Sequence, residues 1–182
     1  MWLLILSVLG ASLVSALGSL MEATLLSLRP GQIAEISAQM PRVAGTWQRL
    51  VVDIERPIAA ILILNTAAHT IGASVAGAEF DRLYGDRWIL IFSIAFTFLM
   101  LQFTEILPKG VGVRHSQLVA IWITWPLDLL VRVMRPVQAL VHFVNRPFHG
   151  ARPQAKRPTT SDEIIALTAF ARLSGEIGAE QE

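Results

Sequence analysis

The sequence predicts an all-α membrane protein with three transmembrane helices, amphipathic juxtamembrane helices and a C-terminal cytoplasmic helix. Of its 182 residues, 53% are hydrophobic and only 16% are charged, whereas soluble domains carry about 25% charged residues. The chain has no cysteine, which excludes disulfides and thiolate metal sites. Its formal net charge of +1 gives no reason to expect nucleic acid as a partner.

The first span is predicted at about residues 2–28. Residues 2–21 carry no charge, and Glu22 is the only charged residue before Arg29. A helix of about 20 apolar residues crosses a hydrocarbon core of about 30 Å. A cleaved signal peptide would instead have a basic N-terminal region and a shorter apolar core. We therefore expect a span that is retained.

Two further spans are predicted, at about 57–79 and 87–108. Pro57 suits the first turn of a helix, where its missing N–H costs nothing. The third span can continue through Glu105 if that carboxylate is sheltered. The short loop at 79–87 between these two spans makes them an antiparallel hairpin.

Basic residues predict the orientation of the spans, because Lys and Arg are enriched in cytoplasmic loops. The hairpin loop has two arginines against three acidic residues. The segments that follow the first and third spans hold Arg29, Arg42, Arg49 and Arg56, and then Lys109, Arg114, Arg132, Arg135, Arg146, Arg152, Lys156 and Arg157. The sequence thus predicts a multi-pass protein of the plasma (inner) membrane, with its N-terminus outside and its C-terminus in the cytoplasm.

Interfacial helices are predicted at about 117–148, after the third span. Polar residues recur there at helical spacing, and two tryptophans accompany an apolar run that Pro126 interrupts. A fourth span is the alternative, but Arg132 and Arg135 would then lie deep in lipid at a cost of about 2.5–3.5 kcal/mol each. A helical connector at 30–55 and a possible kink at Pro136 complete the prediction.

The domain boundary is predicted near residue 149, which closes a transmembrane domain at 1–149. Residues 150–158 form a basic linker that contains proline. A helix follows within 150–182, since Thr160 and Glu163 fit a capping box before an apolar run. Because this helix has little in the chain to pack on, we expect a downstream domain or a partner.

Polar side chains inside the predicted spans are the candidate functional residues, because polar atoms in lipid are costly. In the first span Ser15, Ser19 and Glu22 share one helical face. In the second span Asn65 and His69 lie one turn apart. Helix–helix packing is an adequate explanation of Ser15. For Asn65 or His69 taken alone, an interhelical hydrogen bond is at least as good an explanation as a ligand site. Packing explains the carboxylate of Glu22 poorly.

The third candidate segment runs from Thr104 to Lys109. Pro108 has no N–H, and its ring displaces the carbonyl four residues back, which belongs to Thr104. A freed carbonyl beside the carboxylate of Glu105 is a ligand set for a hard cation. The simpler alternative is that Pro108 ends the helix and Lys109 extends to the lipid headgroups, and both can hold.

Helix geometry places the polar groups of all three spans at similar depth. At about 1.5 Å per residue, Ser19 and Asn65 lie roughly 12–14 Å from the cytoplasmic ends of their spans, and Glu105 about 5 Å. The resulting oxygen-rich set suits Mg²⁺, Ca²⁺ or Mn²⁺. His69 differs from the rest, because an imidazole can admit a softer metal or carry a proton.

At these residues the sequence resembles the transmembrane domain of the cyclin M / CorC family, known in bacteria as hemolysin-like or magnesium and cobalt efflux proteins. The resemblance is carried by Ser15-Ala-Leu-Gly-Ser-Leu-Met-Glu22, Asn65-Thr66, Glu105-Ile-Leu-Pro-Lys109 and Ser161-Asp-Glu-Ile-Ile-Ala-Leu. It implies a homodimer, a Mg²⁺ site, export driven by Na⁺ entry, and a pair of regulatory CBS domains downstream. The implied metal ligands are Ser19, Asn65, Glu105 and the backbone of Thr104.

The leading hypothesis is therefore a Mg²⁺ transporter that is coupled to Na⁺ and is not an enzyme. Ser15, Glu22, His69, Pro108 and Lys109 would support the site or the ion path. The alternative is a membrane scaffold or ion sensor that regulates other transporters and moves no ion itself. An intramembrane hydrolase using His69 and a serine is a weaker idea, since no HExxH or GxSxG motif is present.

Overall fold

The computed structural model describes the backbone of residues 1–145 and the side chains of residues 1–140. Every regular element in that range is a helix, which confirms the predicted all-α class. In chain order they are α1 (Trp2–Ser27), α2 (Pro30–Gln39), α3 (Pro41–Val52), α4 (Glu55–Tyr84), α5 (Ile89–Met100), α6 (Leu107–Arg114), α7 (Ser116–Val133) and α8 (Arg135–Asn145). The predicted linker at 150–158 and C-terminal helix lie outside the described residues.

A 3₁₀ turn before α5 and a π-helical turn between α5 and α6 make one long helix of Asp86–Arg114. We call this element the third long helix. The sequence allows that Pro108 ends the helix, and this alternative is wrong. The helix continues for six residues beyond Pro108, because the wider π-helical turn at Leu101–Ile106 accommodates the missing donor.

Four helices in the described range are long and apolar enough to cross a membrane. Three of them, namely α1, α4 and the third long helix, match the predicted spans. The fourth candidate is α7, which contains the apolar run that the sequence predicts to be interrupted at Pro126. That interruption does not occur, because Pro126 lies inside an uninterrupted helix of 18 residues. Large apolar side chains are exposed along all four helices, as expected of lipid-facing surfaces.

The α1 helix runs antiparallel to α4 and parallel to the third long helix. From Ala11 to Gly18 on α1, the contacting residues on α4 run backwards in sequence, from Gly72 to Asn65. The partners of α1 on the third long helix rise from Met100 to Lys109. Small residues permit this close packing, as is usual between membrane helices: a Cβ on Gly72 would lie only 2.2 Å from the Cβ of Ala11.

The hairpin between α4 and the third long helix is tighter than the predicted loop. Helix α4 continues to Tyr84, and the chain turns at Gly85, whose φ of 79° is one that side-chain-bearing residues rarely adopt. Phe80 and Phe92 stack across the turn with ring centroids 4.2 Å apart. The antiparallel arrangement itself is as predicted.

The predicted connector at 30–55 forms α2 and α3, which pack with α7 at one end of the bundle. Trp47 is fully buried there, and its Nε1 donates to the Ala120 carbonyl and the Thr124 hydroxyl. Gln138, just after α7, donates to the carbonyl of Arg56 at the start of α4. The break between α7 and α8 falls at Met134, two residues before the expected kink at Pro136.

Candidate functional site

Two layers of polar side chains cross the bundle where α1, α4 and the third long helix meet. Ser15 and Ser19 lie on one face of α1 and are fully buried. Asn65 and His69 lie on the facing side of α4, because residues four apart share a helical face. The antiparallel register pairs Ser15 with His69 and sets Asn65 against Gly18, the neighbour of Ser19.

The first layer, which we call the His69 layer, joins all three helices through hydrogen bonds. The Ser15 hydroxyl lies 2.5 Å from His69 Nε2 and donates to the Thr104 hydroxyl at 3.2 Å. The same histidine nitrogen lies 3.3 Å from the Thr104 hydroxyl. Thr104 in turn donates to the carbonyl of Met100 at 2.7 Å.

The second layer, one helical turn away, contains oxygens that have no partner; we call it the Asn65 layer. Ser19 Oγ and Asn65 Oδ1 are both buried and make no hydrogen bond with any described residue. The Asn65 amide lies directly against α1, since a Cβ on Gly18 would come within 2.1 Å of its oxygen. Burial of a polar atom without a partner costs about 1–3 kcal/mol in proteins. Such atoms call for an explanation, and one is a ligand that the bundle binds.

Glu105 follows Thr104 in the π-helical turn and lines a cavity of about 260 Å³ beside α4. His69 lines the same cavity, so its ring lies between the cavity and the His69 layer. The carboxylate of Glu105 is half-buried and has neither a hydrogen bond nor an ion pair among the described residues. It is the one predicted ligand that brings a full charge, and no cation in that range balances it.

Glu22 and Lys109 form an ion pair between α1 and α6, with the two charged atoms 3.1 Å apart. Lys109 thus supplies the partner that the carboxylate of Glu22 needs near lipid. Both side chains remain partly exposed, so the pair contributes little to stability, at most about 1 kcal/mol.

The π-helical turn changes the role expected for Thr104. The sequence predicts that Pro108 frees the Thr104 carbonyl as a ligand. In the structure the Thr104 hydroxyl is the atom that contacts the other two helices. Sequence reasoning missed this hydroxyl, because a π-helical turn is not apparent from composition or spacing. The only signal of this turn in the sequence is Pro108, which follows Thr104 and Glu105 within the predicted span.

The predicted ligands are thus only partly brought together. Asn65 contacts Gly18, the neighbour of Ser19. Thr104 instead contacts Ser15, one turn nearer the start of α1, and Glu105 follows Thr104 in the chain. The predicted depth of 5 Å for Glu105 assumes that the helix ends near Pro108, whereas it continues to Arg114. Within residues 1–140 no three His, Asp or Glu side chains cluster as metal ligands, so a metal site at Glu105 would also need hydroxyl, amide or carbonyl oxygens.

The close Ser15–His69 contact does not have the arrangement of a hydrolase. A nucleophilic serine gives its proton to the histidine, and a third group orients the ring. Here Ser15 is fully buried and donates to Thr104, and no carboxylate among the described residues is bonded to His69. The contact is better explained as part of a network that links the three helices.

Comparison with known proteins identifies the family. The model of the cyclin M transmembrane N-terminal domain matches residues 5–182, almost the entire chain. The chain belongs to this family. As a cyclin M transmembrane domain with several membrane-spanning helices, it is a multi-pass membrane protein, and the predicted family resemblance is confirmed.

Curated relatives of this cyclin M domain are longer proteins. It is 29% identical to the UPF0053 protein sll1254 of Synechocystis over 92% of the chain and 48% of the relative. It is 29% identical to a UPF0053 protein of Haemophilus influenzae and 27% identical to the UPF0053 inner membrane protein YfjD of Escherichia coli. Each of these two matches covers 73% of the chain, and 32% and 31% of the relatives. The chain therefore spans less than half of the length of each of these relatives, from 31% to 48%.

Proposed function

We propose that this chain forms the membrane path of a divalent-cation transporter, with Mg²⁺ as the favoured cargo. The observation that carries the proposal is the pair of buried oxygens without partners, Ser19 Oγ and Asn65 Oδ1. A cation would stabilise both oxygens and so offset the cost of burying them. Membership of the cyclin M family supports a transport role for the domain.

The charges of the described residues favour one divalent ion held by few protein ligands. Glu105 supplies one uncompensated negative charge, while Lys109 neutralises Glu22. Serine, threonine and amide oxygens would supply the remaining protein ligands, and Mg²⁺ usually keeps several of its waters. A partly hydrated ion that is held by few protein groups can also leave, which conduction requires.

The wider assembly is proposed on the same basis. The chain acts as a homodimer in the plasma (inner) membrane, with the basic end of the bundle in the cytoplasm and Na⁺ entry driving export. Segments beyond this chain, a CBS pair among them, would regulate it, which fits its coverage of at most half of its relatives. One relative, that of Escherichia coli, is named an inner membrane protein.

Flux into proteoliposomes tests the proposal directly. The chain is reconstituted, and Mg²⁺ movement is followed with a trapped fluorescent indicator. Asn65→Ala is expected to reduce the flux at least tenfold, because it removes a buried ligand oxygen. The matched control is Thr66→Val, which changes an exposed hydroxyl bonded only within α4, to the Leu62 carbonyl; it should transport normally.

The same experiment separates a transporter from a scaffold or sensor. A sensor would bind Mg²⁺ in isothermal titration, lose that binding in Asn65→Ala, and still give no flux above that of empty liposomes. Wild-type protein that neither binds nor moves a divalent ion would contradict both functions.

A further inference from the structure

A second cavity, of about 540 Å³, lies where α1 leads into α2 and where the third long helix leads into α7. Its charged lining residues within the described part of the chain are two arginines, Arg29 and Arg114, and no carboxylate there lines it. The sequence predicts that this end of the spans faces the cytoplasm, where the cavity would lie near the lipid headgroups. We call it the arginine cavity.

Neither arginine of this cavity is neutralised by another residue in the range 1–140. No ion pair in that range includes Arg29 or Arg114, and their guanidinium groups make no hydrogen bond there. Both side chains are exposed, so a ligand can reach them. Two positive charges that line one cavity repel each other, and an anion bound there relieves the repulsion. The planar guanidinium group matches phosphate best, because it can donate two parallel hydrogen bonds.

Further hydrogen-bond donors line the arginine cavity. Pro30 and Ser116 are the first residues of α2 and α7, so the positive ends of two helix dipoles border the cavity. Ser116 is buried and accepts a hydrogen bond of 3.5 Å from Gln32, while its own proton has no acceptor in the described segment. The hydroxyl of Ser27 has no hydrogen-bond partner in that segment either. These groups add donors to the positive charge of the arginines.

Two apolar side chains of the arginine cavity indicate which phosphate compound fits it. Leu26 of α1 and Val113 of α6 line the cavity and are 59% and 58% exposed. Exposed apolar side chains of membrane helices contact lipid, so acyl chains can pack against these two. A free phosphate ion would gain nothing from them. A phospholipid can instead place its phosphate at the arginines and its acyl chains on the apolar side chains.

We propose that the arginine cavity binds the phosphate group of an anionic phospholipid, with Arg29 and Arg114 as its charged ligands. Basic pockets between membrane helices on the cytoplasmic side bind such headgroups. The bound lipid joins the end of α1 to the end of the third long helix. These two helices carry Ser19 and Glu105 of the candidate cation site, but neither residue lines the arginine cavity. Lipid binding can therefore be measured separately from cation binding.

Native mass spectrometry of the chain in detergent tests the inference with two lipids, phosphatidylglycerol and phosphatidylcholine. Wild-type protein should bind the anionic lipid about tenfold more tightly, because its headgroup keeps a net negative charge. In the double variant Arg29→Gln/Arg114→Gln this preference should fall below about twofold, because both charged ligands are lost. The matched control is Arg42→Gln/Arg49→Gln, which removes two exposed arginines of α3 outside the cavity and should keep the preference.

Three results would overturn the assignment. An unchanged preference in Arg29→Gln/Arg114→Gln would place the lipid elsewhere on the protein. An equal loss in the α3 control would show that overall charge, and not the cavity, attracts the lipid. Inorganic phosphate is the third arm: displacement of phosphatidylglycerol by phosphate at an equal concentration would identify a soluble phosphate as the ligand.

A second measurement needs only wild-type protein. A phosphatidylglycerol with a photoactivatable group beside its phosphate should label residues 26–32 and 113–116, which include the lining of the arginine cavity. Unlabelled phosphatidylglycerol in excess should suppress this labelling, and phosphatidylcholine should not. Labelling that avoids both segments, or equal suppression by the two lipids, would refute the proposal.

Discussion

At the scale of single residues, the unusual feature is a pair of buried oxygens that the bundle leaves unsatisfied. Every hydroxyl of the His69 layer has a partner, yet one turn away Ser19 and Asn65 have none within the part of the chain that the structure describes. A fold that needed only helix packing could fill these positions with alanine and leucine at no such cost. The presence of Ser19 and Asn65 at these positions therefore favours a bound ligand in the Asn65 layer.

Gly18 positions the side chain of Asn65, and Gly18→Ala should therefore weaken the binding of Mg²⁺. The added Cβ would lie 2.1 Å from the amide oxygen and 2.9 Å from its carbon, so the Asn65 side chain must move. We expect Mg²⁺ affinity to fall at least tenfold by isothermal titration. The free energy of unfolding should fall by about 1–3 kcal/mol, as for other overpacked sites.

The control for this substitution lies on the same helix. A Cβ on Gly10 would meet nothing within 4 Å, so Gly10→Ala adds the same methyl group without a clash. It should bind Mg²⁺ normally and unfold at an unchanged or slightly higher temperature, since alanine favours the helix. Equal Mg²⁺ affinity in the two variants would mean that the contact between Gly18 and Asn65 has no role in binding.

The sequence predicts these residues better than it predicts their partners. Helical spacing alone places Ser15 and Ser19 on one face of α1, and Asn65 and His69 on one face of α4. Which serine faces which α4 residue depends on the register of two antiparallel helices, and small residues set that register through long-range contacts. The pairing of Ser15 with His69 therefore emerges only from the fold.

At the scale of elements, the π-helical turn before Pro108 aligns the third long helix with α1. Without an N–H, Pro108 cannot bond to the Thr104 carbonyl, and the chain widens for six residues before regular α-helix resumes. The turn sets Thr104 against Ser15, while Gly112 packs tightly on Ala23 further along α1. The π-helical turn lies between these two contacts and sets the rotation of one relative to the other.

Pro108→Ala should remove that twist. Alanine restores the missing donor and permits a regular α-helix, which would rotate Thr104 and Glu105 relative to the fixed contact at Gly112. We expect divalent-ion affinity to fall at least tenfold while thermal stability is retained or rises, because proline within a helix is unfavourable. Lys109→Arg, which keeps the charge beside it, should bind normally. Full affinity in Pro108→Ala would argue against a role for the π-helical turn.

Substitution of one tryptophan in α3 and one in α7 tests which contacts fix the position of α7. Trp47 is completely buried and donates one N–H to two acceptors on α7, whereas Trp122 is 84% exposed. Trp47→Phe should lower the free energy of unfolding by about 1–3 kcal/mol, since it removes the indole hydrogen bonds and leaves space in a fully buried site. Trp122→Phe should change it by less than about 0.5 kcal/mol. Thermal unfolding in the same detergent measures both, and equal stabilities would show that α7 is not held through Trp47.

Among the elements, the long uncharged runs predicted correctly where α1 and α4 lie, because the cost of charge in lipid is a strong constraint. Helix ends predicted from prolines are less accurate. Pro126 and Pro108 both lie inside helices, since neighbouring helices and local widening compensate for the lost bond. Proline therefore predicts a helix end less well in this bundle than it does in water.

At the scale of the whole molecule, the packing of α1, α4 and the third long helix is compatible with the three crossings that the sequence predicts. Helix α1 runs parallel to the third long helix and antiparallel to α4, as three crossings require. The α4 hairpin at one end of the bundle has three acidic residues against two arginines. Arginines follow α1 and the third long helix at the other end. The remaining question is whether α7 adds a fourth crossing.

Contacts along α7 favour a position at the basic end of the bundle. Its first residue, Ser116, accepts a hydrogen bond from Gln32 of α2. Gln138, beyond its last turn, bonds to Arg56 at the start of α4. Gln32 lies between α1 and α4, and Arg56 lies in the first turn of α4, so both partners are at the same end of these two helices. A helix about 27 Å long that crossed the membrane would carry one of its ends away from that segment.

Single-cysteine labelling decides the point, and the chain offers a background free of native cysteine. His115→Cys and Arg135→Cys place exposed thiols at the two ends of α7, and Asp86→Cys places one at the hairpin. In intact cells an impermeant maleimide should label Asp86→Cys alone, and after lysis it should label all three. Labelling of Arg135→Cys but not His115→Cys before lysis would mean that α7 crosses the membrane. The segment after α7 would then lie outside the cell, where it could not lead to a cytoplasmic regulatory domain.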